Sequence, residues 1–114
     1  MKKELIIRLQ MPGMHIWSEC DIEEVSYLAN VHRHMFHFEA RCLVGGSNRE
    51  VEFIKLQNEI RRFLTATYWS VSSQLLAFGG RSCEMIAEEI LKRFPLLTEC
   101  TVLEDGENGA RVVR

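Results

Sequence analysis

No stretch of this 114-residue chain approaches the ~20 consecutive apolar residues that a membrane-spanning helix needs. Neither sign of charge dominates. Lys and Arg number 14 against 16 Asp and Glu, a net charge of −2, and the two signs are interspersed. No basic face is therefore offered to nucleic acid or to an anionic membrane. The four cysteines (Cys20, Cys42, Cys83, Cys100) include no Cys-x-x-Cys pair, which removes the usual zinc-ribbon and redox frameworks. Residues Met1 to Glu4 lack the apolar core and small-residue cleavage site of a signal peptide, so the chain is expected to be cytoplasmic. There is no repeat, low-complexity tract or linker, so residues 1–114 are expected to form a single domain. What remains, 46% apolar and 26% charged, is an ordinary soluble globular composition.

The patterning predicts α+β. Leu5, Ile7, Leu9 and Met11 alternate with Glu4, Arg8 and Gln10, a strand over residues 3–11. Pro12-Gly13 interrupts it as a bulge or bend would. If parity survives the interruption, His15 stands on the side of Leu5, Ile7 and Leu9. Residues 18–30 read as a polar connection with a turn of helix, leading to a second strand over about 31–44. After the Gly45-Gly46-Ser47-Asn48 turn the period changes. Phe53, Leu56, Ile60, Phe63, Leu64 and Thr67 follow helical spacing. Residues 65–78 support no assignment. Ser82 is a good N-cap for a second helix, with Glu84 in its first turn where the dipole favours an acid. Met85, Ile86, Ile90, Leu91 and Phe94 form its apolar stripe, and Pro95 stops it. Residues 98–103 and 110–113 are two more strands around a Glu104-to-Gly109 turn. The order ββααββ predicts an antiparallel sheet with both helices on one face.

Three of the four histidines fall within Val31-His32-Arg33-His34-Met35-Phe36-His37-Phe38. Period two sends His32, His34, Phe36, Phe38, Ala40, Cys42 and Val44 to one face and His37 to the other. The two same-face imidazoles stand roughly 7 Å apart by strand rise, close enough for their side chains to converge on one ion. His-x-His on a strand is by itself more often structural than metal-binding. A third histidine on an adjacent strand changes the balance, because three neutral imidazoles plus water make a catalytic-type zinc set. Antiparallel pairing of the first two strands would bring His15 to that end.

At this point the chain resembles the 6-pyruvoyl-tetrahydropterin synthase family, which includes the 6-carboxy-tetrahydropterin synthases and belongs to the tunnelling folds. A strand ending in His15 is followed by His32-Arg33-His34-Met35-Phe36, similar to the family's His-Gly-His signature apart from Arg33. Glu52-Phe53-Ile54-Lys55-Leu56-Gln57 resembles its Asp-Phe-x-x-Leu-Lys motif. Ser82-Cys83-Glu84-Met85-Ile86-Ala87 resembles Thr-x-Glu-Asn-x-Ala. Val102-Leu103-Glu104-Asp105, with Asn108 beyond, is similar to the strand that ends in the pterin-anchoring Glu. The resemblance implies zinc on His15, His32 and His34, and a pterin or purine-like ligand anchored by Glu104, with Glu84 a further ligand-binding candidate. Without the resemblance, Glu104 reads as an exposed turn acid and Glu84 as a helix-dipole residue. It also implies a barrel-forming homo-oligomer built by edge-strand pairing, with sites between subunits.

The sequence departs from the family where proton transfer is concerned. The family's catalytic Cys precedes its His-x-His, but Tyr27-Leu28-Ala29-Asn30 holds no thiol. Its base His lies between the helices, and residues 65–81 hold neither Asp nor His. Cys20 and Cys83 are the thiols left as catalytic candidates, and an inert thiol is the better reading of each. The resemblance implies a zinc-dependent carbon–oxygen lyase acting on dihydroneopterin triphosphate. The departures set beside it a non-catalytic protein that sequesters a guanine-type or other nucleotide ligand at a subunit interface.

Overall fold

Two 13-residue strands, β1 (Lys3–His15) and β2 (His32–Val44), form the centre of the fold and carry all four histidines. The computed structural model describes residues 1–114. Between these strands a 3-10 segment (Glu23–Ala29) occupies the polar connection. Then follow α1 (Phe53–Tyr68), the short β3 (Trp69–Ser70) and β4 (Leu75–Ala77), α2 (Cys83–Arg93), β5 (Leu97–Glu104) and β6 (Asn108–Val113). The six strands form one sheet in the order β3-β4-β1-β2-β5-β6. The expected α+β class and the four long strands are present. The sheet is not purely antiparallel, however, because β4 runs parallel to β1 through Gly13↔Leu76 and Met14↔Ala77. The unassigned residues 65–78 supply this addition. Strands of two and three residues are too short for alternation to declare them.

Pro12-Gly13 does not break the β1–β2 ladder. Pairing runs in register from Lys3↔Val44 through Pro12↔Met35 and Gly13↔His34 to His15↔His32, so parity survives and His15 stays on the core face. β1 gains its neighbour β4 only from Gly13 onward, so on that side Pro12 interrupts no ladder. Gly13 has a packing reason: a Cβ there would lie 2.7 Å from the Phe36 ring.

One core of 22 buried residues lies between the helices and one face of the sheet. The inward-facing Ile7, Leu9 and Met11 of β1 and Phe36, Phe38, Ala40 and Cys42 of β2 meet Leu56, Ile60 and Leu64 of α1 and Ile86, Ile90 and Leu91 of α2. Each helix start is capped by a side chain: Glu52 accepts from the Lys55 N–H at 2.6 Å, and Ser82 from the Met85 N–H at 3.3 Å. Phe53 and Met85, placed on the buried stripes by spacing, are about half exposed; each stands in the first turn of its helix. Tyr68, not Thr67, completes the buried stripe of α1. No helix is long and apolar enough to cross a membrane.

The face away from the helices has one buried carboxylate, Glu99, held by two more-exposed arginines. Glu99 accepts hydrogen bonds from Arg111 at 3.1 and 2.6 Å, and Arg41 Nε lies 3.2 Å away. The Arg111 hydrogen bonds, more than any other cause, hold the Glu99 carboxyl below its ordinary range. A carboxyl with a depressed folded-state pKa contributes stability that is present above its unfolded value, ~4.3, and lost as pH falls through the folded value. Glu99→Gln is therefore expected to lower the urea midpoint near pH 7 and to flatten its decline below ~pH 4.3. Parallel midpoint–pH curves for the two proteins would exclude the effect.

Candidate metal centre

The register His15↔His32 and Gly13↔His34 brings three imidazoles to one corner of the core face, and Glu104 at the end of β5 joins them by pairing opposite Phe36. One donor atom from each of His15, His32, His34 and Glu104 lies within 4.8 Å of every other. The His32 and His34 ring centroids are 5.1 Å apart, and His15 lies 4.5 and 5.5 Å from them. The side chains have thus converged well inside the separation that strand rise alone would give. Phe36 forms the floor, edge-on to His15 and His34.

The tautomers follow from the outer contacts. His15 Nδ1 donates to the Arg81 carbonyl at 2.9 Å, and His32 Nδ1 to the Asn30 carbonyl at 2.8 Å. His34 Nδ1 donates to Asp105 Oδ2 at 2.8 Å. Carbonyl and carboxylate oxygens only accept, so each Nδ1 carries the hydrogen and each Nε2 of a neutral ring is left with a lone pair. All three Nε2 atoms are buried without a hydrogen-bond partner. Glu104 Oε2 is 2.9 Å from His15 Nε2 and Oε1 is 3.6 Å from His34 Nε2, but neither approach makes a hydrogen bond. Burial, ahead of every other influence, pushes the His15 pKa down. The three Nε2 atoms and the Glu104 carboxylate thus face one point, close enough together to hold a metal ion. Metal–nitrogen bonds of ~2.0–2.1 Å space tetrahedral donors about 3.4 Å apart, within reach of small side-chain rotations.

Asp105 is the residue that sequence reasoning missed. Asp105 and Gly106 adopt φ of 56° and 71°, as the two central positions of a type I′ hairpin turn require. The turn is pinned to β2 by the Asp105 N–H donating to the Met35 carbonyl at 2.8 Å and the Met35 N–H donating to Asp105 Oδ1 at 3.0 Å. Its other oxygen orients His34, a carboxylate–histidine arrangement typical of metal sites. The His34 hydrogen bond, then that from Met35, lowers the Asp105 pKa. The Asp-Gly pair was the available signal.

The remaining candidates separate clearly. Cys83 is buried beside the cluster, its Sγ 4.0 Å from Glu104 Oε2. Burial, then the Glu104 and Glu84 carboxylates, push its thiol up to about 12. Cys20 stands apart, with its thiol directed to the Val25 carbonyl at 3.6 Å. Glu84 is exposed and lies on the rim of a cleft of about 450 Å3 that also includes His15, His32, Glu104, Trp17 and Asn108. His37 lies on the opposite face, its ring against Gly106. Compared with known proteins, the chain matches no family model and no curated protein.

Proposed function

We propose that the chain is a zinc-binding protein of the 6-pyruvoyl-tetrahydropterin synthase type. In this proposal His15, His32 and His34 hold the ion, and Glu104 receives a pterin- or purine-like ligand in the adjoining cleft. The observation that carries it is the convergence of three buried, unpartnered Nε2 atoms whose Nδ1–H groups are all engaged elsewhere. Neutral imidazoles and a carboxylate suit zinc. A cleft of this volume is of ligand-binding size, with Trp17 offering an aromatic surface for a flat ring. Zinc when bound would polarise a carbonyl or hydroxyl of the ligand. Glu104 is partly exposed and lines the cleft; turned toward it, the carboxylate would accept from the N–H edge of a 2-amino-4-oxo ring as a bidentate, charge-assisted partner.

Turnover of dihydroneopterin triphosphate as a lyase substrate would need a proton donor and acceptor at the site. The one thiol beside it, Cys83, is pushed up to about 12 and keeps its proton near neutrality. That observation favours the second possibility, a non-catalytic protein that sequesters the ligand. Metal analysis of the purified chain is expected to return about one zinc per chain. Incubation with dihydroneopterin triphosphate then separates the two: pyruvoyl or carboxy pterin products identify the lyase, and binding without products identifies the binder. A protein that neither retains zinc nor binds the compound refutes both.

The proposal extends to a homo-oligomer with sites between subunits. β6 leaves one edge of the sheet unpaired, and Ile6, Met35, Leu43 and Val113 are exposed on the face away from the helices. Both features suit association of copies. Light scattering is expected to give a mass several times the 13.3 kDa of one chain, and a monomer would remove the inter-subunit pocket.

A further inference from the structure

The three imidazoles are not held equally. His32 leans on a carbonyl two residues away, and the acceptor for His34 is fixed to β2 through Met35. His15 depends on the carbonyl of Arg81, 66 residues distant, in the loop between β4 and α2. That loop is tied to the end of β1 on one side: the Phe78 N–H donates to the Met14 carbonyl and the Ile16 N–H to the Gly79 carbonyl, each at 2.9 Å. Gly79 turns there with φ +60°, a left-handed conformation that suits glycine.

On the other side the loop is tied by the Arg81 side chain. Its Nε donates to Glu89 Oε2 at 2.6 Å, and one terminal nitrogen donates to the Phe78 carbonyl at 3.1 Å. Glu89, on α2, takes its second bond from the Tyr68 hydroxyl of α1 at 2.5 Å. The guanidinium also lies over the Tyr68 ring, 5.2 Å from its centroid. Burial alone would raise the Glu89 carboxyl, but the Tyr68 and Arg81 hydrogen bonds outweigh it and keep the group low and charged. Both carboxylate oxygens are therefore used, one by the Tyr68 hydroxyl of α1 and one by Arg81 of the loop, in short charge-assisted contacts.

We infer that Tyr68, Glu89 and the Arg81 guanidinium form a positioning clamp that aims the Arg81 carbonyl at His15 Nδ1 and so presents His15 Nε2 to the metal. Tyr68 and Glu89 belong neither to the metal-binding group nor to the lining of the cleft; the clamp acts on the metal through one peptide carbonyl. It rests on the zinc proposal, because without an ion there is nothing for it to position. An acceptor on the far ring nitrogen fixes tautomer and ring orientation, and loss of such outer partners typically weakens metal affinity by 10–100-fold.

Zinc affinity is measured by competition with a chromophoric chelator for the native chain, Glu89→Ala and the milder Tyr68→Phe, alongside imidazole 1H–15N spectra and melting curves. Glu89→Ala is expected to bind zinc about 10-fold more weakly, and Tyr68→Phe to shift affinity in the same direction by less. In both, the His15 Nδ1–H resonance should move or broaden while those of His32 and His34 stay. A merely structural role would lower the melting temperature and leave affinity and the His15 signal in place. If the native chain binds zinc and both variants bind it equally well, the clamp is refuted and the zinc proposal stands. If the native chain takes up no zinc, the zinc proposal falls and the clamp falls with it. Should Glu89→Ala fail to fold, Tyr68→Phe, which removes a single hydroxyl, decides the question by the same readouts.

Discussion

His34→Ala is expected to weaken zinc binding by at least about 100-fold. Structural zinc sites are worth ~10–16 kcal/mol over about four ligands, so one ligand accounts for about 3 kcal/mol, and each 1.4 kcal/mol is tenfold. The substitution removes one of three converging Nε2 atoms and also leaves Asp105 Oδ2 without its imidazole donor. His37→Ala is the matched control: the same residue type on the same strand, facing the other way. It should leave zinc affinity unchanged. Chelator competition and metal content after dialysis read both variants. If His34→Ala retains as much zinc as the native chain, the three-histidine site is wrong. The melting temperature carries an independent signal. Zinc that binds the folded chain stabilises it by mass action, so chelation should lower the native melting temperature and leave that of His34→Ala almost unmoved.

Why this corner was partly legible in the sequence can be traced residue by residue. Alternation alone put His32 and His34 with Phe36, Phe38, Ala40 and Cys42, and the last four are buried together. That side-chain parity is a rigid property of an extended backbone. His15 was conditional. Its side depended on whether Pro12-Gly13 shifted the register, and only the continuous β1–β2 ladder decides that it does not. Glu104 needed both the end of β5 and its pairing opposite Phe36 before it became a member of the cluster and not a turn acid. The acceptors that set the tautomers were less accessible. Two are backbone carbonyls, of Asn30 and Arg81, and a carbonyl has no residue signature. β3 and β4 were illegible for a different reason: they are strands of two and three residues, and β4 joins the sheet through a non-local parallel contact with β1 while β3 pairs only with β4.

Glu104→Ala should separate the ion from its ligand. Both carboxylate oxygens face the imidazoles, Oε2 2.9 Å from His15 Nε2 and Oε1 3.6 Å from His34 Nε2, while the residue also lines the cleft. Hydrogen bonds to a charged acceptor contribute ~1.5–3 kcal/mol each. A bidentate contact to a ligand's N–H edge is therefore worth roughly 3–6 kcal/mol, taking two such bonds, and its loss should weaken ligand binding by at least about 100-fold. Zinc should suffer less, because three imidazoles with an open fourth position already form a complete catalytic-type set. The expected result is a zinc-loaded Glu104→Ala protein, with affinity within about tenfold of native, that no longer binds a pterin. Calorimetric titration of the zinc-loaded variant with neopterin, beside its chelator competition, reads both quantities. Loss of zinc with ligand affinity intact would reverse the assignment, making Glu104 a metal ligand and leaving the ring to another anchor. Glu84→Ala supplies the contrast on the same cleft: its carboxylate is exposed at the rim, where charge contacts are weak and screened, so its effect on the ligand should be severalfold at most and its effect on zinc nil. A Glu84 effect equal to that of Glu104 would move the anchoring acid from the end of β5 to the start of α2.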